Sequence, residues 1–339
     1  MKTTVTKFGG SSLSDAGQFI KVSEIIKSDG ARHFVVASAP GKRNPGDTKV
    51  TDMLYKCCEL RESGADFSGM LKAIKQRFAD ITSGLNIDFD LDEEFDVIRE
   101  RLSQGGEFIR DYMASRGEYL NSKILAVYLG FDFCDAADIV RFTPGGHFED
   151  AATNALISKK FENAGGYTVV PGFYGSDENG TIHTFSRGGS DITGSLLARG
   201  VGADLYENWT DVSGLLAADP SVVDKPAVID YISYQELREL AYMGAGVLHE
   251  DAIFPVRKAG IPINIRNTNR PDYAGTMIVS SSPKNRRPRV ITGIAGKKGF
   301  SAIQVEKSMM NAEVGFGARL LNILADCGVP FEHCPTGID

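Results

Sequence analysis

Short apolar runs rich in β-branched residues alternate along this chain with longer stretches of helical periodicity, and no other feature of the sequence constrains the fold as strongly. Glycine or proline bounds these runs, as is typical of strands buried on both faces. The alternation predicts an α/β protein, a three-layer αβα sandwich with helices on both faces of a mainly parallel sheet. The predicted strands are Thr4–Phe8, His33–Ser38, Tyr167–Val170, Asp204–Trp209, Pro262–Arg266 and Met277–Ser280. The predicted helices are Asp15–Lys27, Val50–Arg61, Phe67–Thr82, Gly117–Leu129, Phe148–Asn163, Ser190–Arg199, Tyr234–Met243 and Glu250–Lys258.

Composition narrows the class of protein and of partner. The 339 residues, 42% of them hydrophobic, allow about two domains at roughly 150 residues each. A formal net charge of −7 offers no broad cationic surface for nucleic acid or for an anionic membrane. No run approaches the roughly 18 apolar residues of a membrane helix, and the start at Met1 has no signal-peptide character. We therefore expect a cytoplasmic protein, without nucleic-acid or membrane partners, that captures anions locally.

Cysteine and histidine give no indication of a metal site. The five cysteines show no CxxC or paired Cys/His spacing, so we expect reduced packing thiols rather than zinc ligands or disulfides. The five histidines lie too far apart in sequence to suggest a triad or a metal cluster. We name no direct metal ligand, and we look for catalysis in other groups.

The first predicted strand runs into the glycine pair Gly9 and Gly10 at the start of a helix. Glycines let the backbone approach a bulky anion, and free N–H groups at a helix start can bind it. Lys7 would add a positive charge at the same edge of the sheet. The chain contains no GxxxxGK[ST] motif, so this predicted phosphate site is not a Walker A loop. A purely structural turn is the alternative.

A second glycine pair, in the run Arg187-Gly188-Gly189-Ser190-Asp191, also leads into a helix. Arg187 can bind a carboxylate or a phosphate through a bidentate contact, and Ser190 at the predicted N-cap adds a hydroxyl donor. Asp191 has two interpretations of equal weight. It caps the helix and complements its dipole, or it orients Lys7 or a metal at the phosphates.

Two further clusters complete the predicted site. Thr210 and Asp211 follow another strand, and open α/β sheets bind ligands outside the carboxyl ends of their strands. Glu118 stands at the predicted start of a helix. It either accepts a hydrogen bond from a substrate ammonium or is a first-turn acid that the helix dipole favours. We expect all of these clusters to share one crevice.

Six motifs, taken in order, together resemble the aspartate kinases of the amino acid kinase superfamily. They are Lys7–Ser12 (KFGGSS), Ser38-Ala39 with Thr51, Ser115–Glu118 (SRGE), Arg187–Asp191 (RGGSD), Thr210–Gly214 (TDVSG) and Met243–His249 (MGAGVLH). The resemblance covers essentially the whole chain. It implies the carbamate kinase-like fold and transfer of the ATP γ-phosphate, with Mg²⁺, to the β-carboxylate of L-aspartate, giving 4-phospho-L-aspartate and ADP. That reaction is the first step toward lysine, threonine and methionine, and the resemblance also implies a homodimer or a higher homo-oligomer.

The resemblance implies a role for each motif residue. Lys7 would stabilise charge on the transferred group, and Asp191 would orient this centre. The residues implied in aspartate binding are Ser38, Thr51, Glu118, Arg187 and Ser190. The residues implied in nucleotide binding are Lys7, Phe8, Gly9, Gly10, Thr210, Asp211, Leu216 and Ser221. A carboxylate with a pKa of about 4 is already ionised at pH 7, so the acceptor would need no general base.

Three positions depart from the family pattern. Ser11 stands where members often have Thr. Leu216 and Ser221 stand where many members carry Tyr and Arg, so stacking and charge on the nucleotide are expected to be weaker or differently supplied.

Two segments break the alternation of strands and helices. Residues 40–49 are rich in Gly, Pro, Asn, Asp and cations and are predicted to form a mobile loop, a lid over aspartate. Residues 86–96 are strongly acidic and are predicted to be a solvated surface element.

The predicted domains are a catalytic domain over 1–280, a polar cationic linker over 281–289 and a partial regulatory domain over 290–339. The last part resembles the β-α-β start of an ACT domain, a ferredoxin-like α+β module. Its predicted elements are Val290–Ile294, Ala302–Val305, a helix over Val314–Ala325 and Val329–Glu332. A half module leaves an open sheet edge, so we expect either a fragment of a longer protein or a short form completed by dimerisation. Lysine or threonine would act as an effector only where the module is completed.

Two other functions compete with aspartate phosphorylation. Another superfamily member would phosphorylate glutamate, N-acetylglutamate or a nucleoside monophosphate. Glu118 favours a free amino acid, because an acetylated amine offers the carboxylate no cation. A non-catalytic amino-acid sensor on the same fold is the second, and it would not need Lys7, Asp191 and two glycine turns.

Overall fold

The computed structural model describes residues 2–162, 165–186, 188–242, 250–281, 291–296 and 298–335. They fall into two compact units, Met1–Gly296 and Lys297–Asp339. Every strand and helix predicted within residues 4–280 is present, with shifts at the ends. The strands are β1 (Thr4–Phe8), β2 (Phe34–Ala37), β3 (Asp132–Phe133), β4 (Thr168–Pro171), β5 (Tyr174–Ser176), β6 (Ile182–Thr184), β7 (Leu205–Thr210), β8 (Leu215–Leu216), β9 (Val228–Ile229), β10 (Tyr231–Ser233), β11 (Ile263–Asn267) and β12 (Thr276–Val279). The helices are α1 (Ala16–Lys27), α2 (Val50–Glu62), α3 (Ser68–Leu85), α4 (Leu91–Gln104), α5 (Ile109–Leu129), α6 (Ala136–Ile139), α7 (Asp150–Phe161), α8 (Gly189–Gly200), α9 (Tyr234–Tyr242), α10 (Glu250–Ala259) and, in the second unit, α11 (Phe316–Asp326).

Eight strands form one sheet in the order β10-β12-β11-β7-β1-β2-β4-β3. Its neighbours run parallel except for the pair β11–β12. The central strands β1, β2 and β4 are buried along their whole length, as parallel strands covered on both faces must be. Helical crossovers between parallel strands place the helices on the two faces of the sheet.

The core lies on both sides of the sheet, and the alternation of side chains along β2 shows this division. Phe34 and Val36 join an apolar cluster with residues of α8 and α10. Val35 and Ala37 join a second cluster with residues of α1 to α5. The three-layer αβα architecture predicted from the sequence is therefore confirmed. No helix among the described residues is long and apolar enough to span a membrane.

The acidic segment 86–96 differs from its prediction as a solvated surface element. Its second half begins α4, in which Leu91, Phe95, Ile98 and Leu102 are buried. These positions repeat at helical spacing, so they form one apolar stripe that packs into the core. Asp90 caps the helix by accepting a hydrogen bond from the Glu93 N–H at 3.0 Å. The many carboxylates of the first turn concealed this periodicity in the sequence.

Helix α5 begins at Ile109, well before the predicted start at Gly117. Glu118 consequently lies in the middle of a long buried helix, and the interpretation of it as a first-turn acid is wrong. Gly117 lies inside this helix at a point where any larger residue would clash, since a Cβ there would lie only 2.8 Å from the Cβ of Ala39. The close approach of α5 to the residues after β2 therefore requires glycine at this position.

The second unit contains a short 3₁₀ helix, Met310–Ala312, and α11. The predicted helix of the half module therefore forms, but neither residues 302–305 nor 329–332 are strands in the described part of the chain. Of the run 290–294, residues 291–294 are described and are not a strand. They belong to the first unit, where the Ile294 N–H donates to the Ala217 carbonyl at 2.7 Å. The domain boundaries and the ACT assignment stay predictions.

Candidate functional site

The carboxyl ends of three neighbouring strands bring the separate sequence motifs to one edge of the sheet. Phe8, the last residue of β1, pairs with Ala37 of β2 and with Trp209 of β7. Ser38 donates its N–H to the Phe8 carbonyl at 3.1 Å, and Gly9 donates its own to the Trp209 carbonyl at 3.0 Å. Ser38, the glycine turn and Thr210 therefore lie side by side where this fold binds ligands.

Gly10 is held against Gly41 by direct contact of two backbones. The Gly41 N–H donates to the Gly10 carbonyl at 2.8 Å. A Cβ on Gly10 would lie 2.8 Å from the Ala39 carbonyl oxygen, and a Cβ on Gly41 would lie 2.6 Å from the Gly10 carbonyl carbon. No side chain fits at either position, so the two segments pack at a distance that only glycine allows.

Lys7 and Asp191 form an ion pair with 2.7 Å between Nζ and Oδ1. Lys7 projects from β1, and Asp191 belongs to the first turn of α8. The Asn208 Nδ2 atom donates to the same Asp191 oxygen at 2.8 Å. Asn208 was missed in the sequence, although a polar pair, Glu207-Asn208, inside a buried strand is a signal that could have found it.

The N-terminus of α8 differs from its prediction. The N-cap is Gly188, with φ at 58°, and no side chain caps this helix. Ser190 is therefore not the N-cap as predicted, and Asp191 does not cap the helix. Of the two interpretations of Asp191, the contact with Lys7 favours the orienting one. Ser190 nevertheless lies beside the end of a strand. Gly172 directly follows β4, and a Cβ built on it would lie 2.5 Å from the Ser190 Oγ atom.

Glu118 is the buried carboxylate of this site. It accepts a hydrogen bond from the Ala39 N–H, whereas its Oε2 atom has no hydrogen-bond partner among the described residues. Burial raises the pKa of Glu118 to about 8, although the charge of Lys7 opposes the shift. An unsatisfied buried carboxylate oxygen is costly unless a donor completes it. The position is therefore suited to a ligand that brings a cationic donor.

The predicted lid, residues 40–49, is anchored to α3 by the buried side chain of Arg77. Arg77 donates to the Gly41 carbonyl at 2.8 Å and to the Thr48 carbonyl at 3.1 Å. It also pairs with Asp47 at 2.9 Å. These contacts hold both ends of the loop against α3, and the mobility and the lid function of the loop stay predictions. Thr51 lies two residues after the loop, half-buried in the first turn of α2.

On the nucleotide side of the predicted site, the side chains are more exposed. The Thr210 hydroxyl donates to Asp211 Oδ1 at 3.2 Å. Leu216 is exposed on β8, and Ser221 donates to Asp219 through its N–H and its hydroxyl. Phe8 is fully buried beside Trp209, so only its backbone lies at the site.

Arg187 and the run Met243–His249 lie outside the described residues. Within the described ranges, no three His, Cys, Asp or Glu side chains gather in a group that could hold a metal ion.

A buried ion pair that the sequence did not reveal supports β7 beneath the site. Arg32 Nε and Glu207 Oε2 lie 2.7 Å apart, and Arg32 Nη2 donates to Glu207 Oε1 at 3.1 Å. Glu207 also accepts from Trp209 Nε1 at 2.9 Å and pairs with Arg266 at 3.4 Å. The Glu207 carboxylate on β7 thus contacts Arg32, which precedes β2, and Arg266 on β11.

Comparison with known proteins agrees with this geometry. Residues 2–267 match the amino acid kinase family. The chain is 39% identical to aspartokinase 3 of Bacillus subtilis over 347 residues, covering 99% of this chain and 76% of the relative. A crystal structure of aspartate kinase from Clostridium acetobutylicum aligns with a TM-score of 0.90 and 51% identity, over 100% of this chain and 77% of the other. The structure of Escherichia coli aspartokinase III in complex with aspartate and ADP aligns with a TM-score of 0.77 and 26% identity, over 99% of this chain and 77% of the other.

Proposed function

The chain belongs to the amino acid kinase family and, within it, to the aspartokinases, and from this premise we propose that it transfers the γ-phosphate of ATP to the β-carboxylate of L-aspartate. The products are 4-phospho-L-aspartate and ADP. One observation carries the proposal: the Lys7–Asp191 ion pair stands beside the Gly9-Gly10 turn and within electrostatic reach of the buried carboxylate of Glu118. A phosphate cradle and an ammonium acceptor thus share one edge of the sheet.

Recognition of the acceptor substrate is assigned to Glu118 and Arg187. The α-ammonium of aspartate would donate to the unpartnered Oε2 of Glu118 and complete its hydrogen bonding. Arg187, from the motif that the sequence identified, would bind a carboxylate of the same molecule. The hydroxyls of Ser38, Thr51 and Ser190 would add hydrogen bonds around it.

The chemistry is direct attack of one anion on another. A β-carboxylate oxygen forms a bond to the γ-phosphorus, and the bond from that phosphorus to the β,γ-bridging oxygen breaks, leaving its electron pair on ADP. The attacking carboxylate is ionised at pH 7, so no general base is needed. The obstacle is repulsion between two anions, which positioning and fixed positive charge overcome. Lys7 supplies that charge, and Asp191 holds its Nζ in place.

The proposed binding of ATP rests on the Gly9-Gly10 turn, and that of Mg²⁺ on the phosphates of ATP. The phosphates are proposed to lie against the Gly9-Gly10 turn, which stands beside the Lys7 ammonium: a Cβ on Gly9 would lie 3.5 Å from Lys7 Nζ. Thr210, Asp211, Leu216 and Ser221 would lie along the rest of the nucleotide. Mg²⁺ supplies further positive charge to the phosphates when it is bound. The described residues contain no cluster of carboxylates for it, so phosphate oxygens and water would provide most of its ligands.

Location, association and regulation complete the proposal and rest on the family alone. We place the enzyme in the cytoplasm as a homodimer or a higher homo-oligomer. Lysine or threonine would regulate it only where a complete ACT module is present.

Trapping of the acyl phosphate tests the function. Purified protein is incubated with ATP, Mg²⁺ and hydroxylamine, which converts an acyl phosphate to a coloured hydroxamate complex with iron. Aspartate should give product, whereas glutamate and N-acetylglutamate should give little. If glutamate gave product and aspartate did not, the phosphate acceptor would be glutamate. If no acceptor gave product, the protein would be a non-catalytic sensor rather than a kinase.

A further inference from the structure

A second pocket, of about 310 Å³, opens between the end of α4, the first turns of α5 and the turn between β5 and β6. Arg101, Tyr112, Arg116, Asp135 and Thr181 are among the residues that line it. Its volume is at the small end of the range for ligand pockets. It lies on a different face of α5 from Glu118, since positions 116 and 118 are separated by about 200° around a helix.

Arg116 is a buried cation without a carboxylate partner. Its residue is 8% exposed, and no Asp or Glu oxygen of the described residues lies within 4.0 Å of its guanidinium. Its hydrogen bonds go to a single acceptor, the Ser115 Oγ, at 3.1 Å from Nε and 2.9 Å from Nη2. A buried guanidinium usually has an anion beside it, because removing an unpaired charge from water is costly.

Three tyrosine rings surround Arg116 and offset part of this cost. Its Cζ atom lies 4.3 Å from the centroid of Tyr119, 4.7 Å from that of Tyr112 and 5.5 Å from that of Tyr174. Ring faces stabilise the cation electrostatically but accept no hydrogen bond from the N–H groups in the guanidinium plane. The guanidinium edge that Ser115 does not use remains available to a ligand.

Asp135 is a half-buried anion in the same pocket, which the exposed Glu107 also lines. Its Oδ1 atom accepts from the Tyr174 hydroxyl at 2.6 Å and from the Ala137 N–H at 3.0 Å. Among the described residues it has no cationic partner, and its Oδ2 atom takes part in no hydrogen bond. Tyr174 thus contacts both charges, with its ring against Arg116 and its hydroxyl on Asp135, while the two charges do not contact each other.

We propose that this pocket binds a small zwitterion, a free α-amino acid, whose carboxylate pairs with Arg116 and whose ammonium pairs with Asp135. A simple anion would satisfy Arg116 but would be repelled by Asp135. A simple cation would face the opposite problem. A molecule that carries both charges close together neutralises both groups, and the pocket has the volume for it. The site is separate from the proposed kinase site and does not depend on its chemistry.

The test uses the Glu118→Gln variant, which lacks the carboxylate charge proposed to bind the substrate ammonium in the kinase site. The twenty free L-amino acids are screened for an increase in melting temperature, and the strongest stabiliser is then titrated by calorimetry beside its analogues that lack the amino group or the carboxylate. We expect saturable binding of the amino acid and at least tenfold weaker binding of both analogues, because each charged contact contributes about 1.5–3 kcal/mol.

Two substitutions test whether the ligand binds in this pocket. Asp135→Asn, which keeps the acceptor of the Ala137 N–H, and Arg116→Lys, which keeps the charge but not the planar fork, should each weaken binding at least tenfold. Arg110→Lys, on the same helix but exposed and 3.6 Å from Glu62, is the matched control and should change nothing. Asp135→Asn in the otherwise unchanged protein should also keep its kinase activity.

Three results would overturn the proposal: no amino acid binds, the amino-free analogue binds equally well, or Asp135→Asn binds as tightly as its parent. None of them bears on aspartate phosphorylation, which hydroxylamine trapping measures independently.

Discussion

Lys7 of β1 and Asp191 of α8 meet with 2.7 Å between ammonium and carboxylate, although nearly two hundred residues of chain separate them. Asn208, on the strand beside β1, donates to the same carboxylate. The lysine charge is therefore held at the carboxyl end of β1 by contacts from two neighbouring elements. A fixed charge of this kind needs no reorganisation when negative charge develops beside it.

Replacing Lys7 by Ala tests the electrostatic role. We expect kcat to fall roughly 10²–10³-fold or more, because an oriented cation is lost, with little change in the KM for aspartate. Arg187→Ala should instead raise that KM strongly. Steady-state kinetics by hydroxamate formation measure both, with Lys56→Ala, an exposed residue paired with Glu59, as the control. Reversal of the two effects would show that the roles are wrongly assigned.

Aspartate binding should release a proton at pH 7. With a pKa of about 8 in the free protein, Glu118 is mostly protonated at that pH, whereas an ammonium ligand favours the ionised carboxylate. Affinity for aspartate should therefore rise from pH 7 toward pH 8.5. Calorimetry in buffers of different ionisation enthalpy measures the released proton directly. Glu118→Gln should bind aspartate more weakly and release none, and an equal release from this variant would exclude Glu118 as the source.

The anchoring of the loop by Arg77 has a kinetic consequence. Arg77→Met removes donors to Gly41 and Thr48, and Gly41 packs directly on Gly10, so we expect a several-fold higher KM for ATP. Deletion of residues 46–49 removes Asp47 and Thr48 and should raise the KM for aspartate. Lys75→Met, on the same helix but facing Asp92, serves as the control. An unchanged KM for aspartate after the deletion would contradict a lid function.

Glu207 should be a strong determinant of stability. Glu207→Gln leaves the buried charge of Arg32 without its carboxylate, and breaking such a pair costs about 3–5 kcal/mol. The free energy of unfolding, measured by urea denaturation, should fall by that order. Glu59→Gln, which breaks the exposed pair with Lys56, should change it by less than about 1 kcal/mol. Similar losses from the two variants would mean that Glu207 contributes no more than a surface charge.

The sequence predicted the local elements well because each rests on a short-range signal. The strand Thr4–Phe8 is a β-branched run that ends in two glycines, and the structure has it at those bounds. Acidic composition hid the apolar stripe of α4, and the glycine inside SRGE suggested a helix start where α5 simply packs closely on Ala39. Of the long-range pairs, only Lys7 with Asp191 was anticipated, as one of two interpretations of Asp191. Asn208 with Asp191, Arg77 with Gly41 and Arg32 with Glu207 depend on which strands become neighbours.

Gly10 and Gly41 touch through their backbones, and neither has room for a methyl group. Attempts to widen the range of phosphate acceptors by mutating this corner should therefore yield misfolded or inactive protein rather than altered selectivity. A change of acceptor selectivity would instead have to come from side chains elsewhere in the proposed site, such as Glu118 and Ser190.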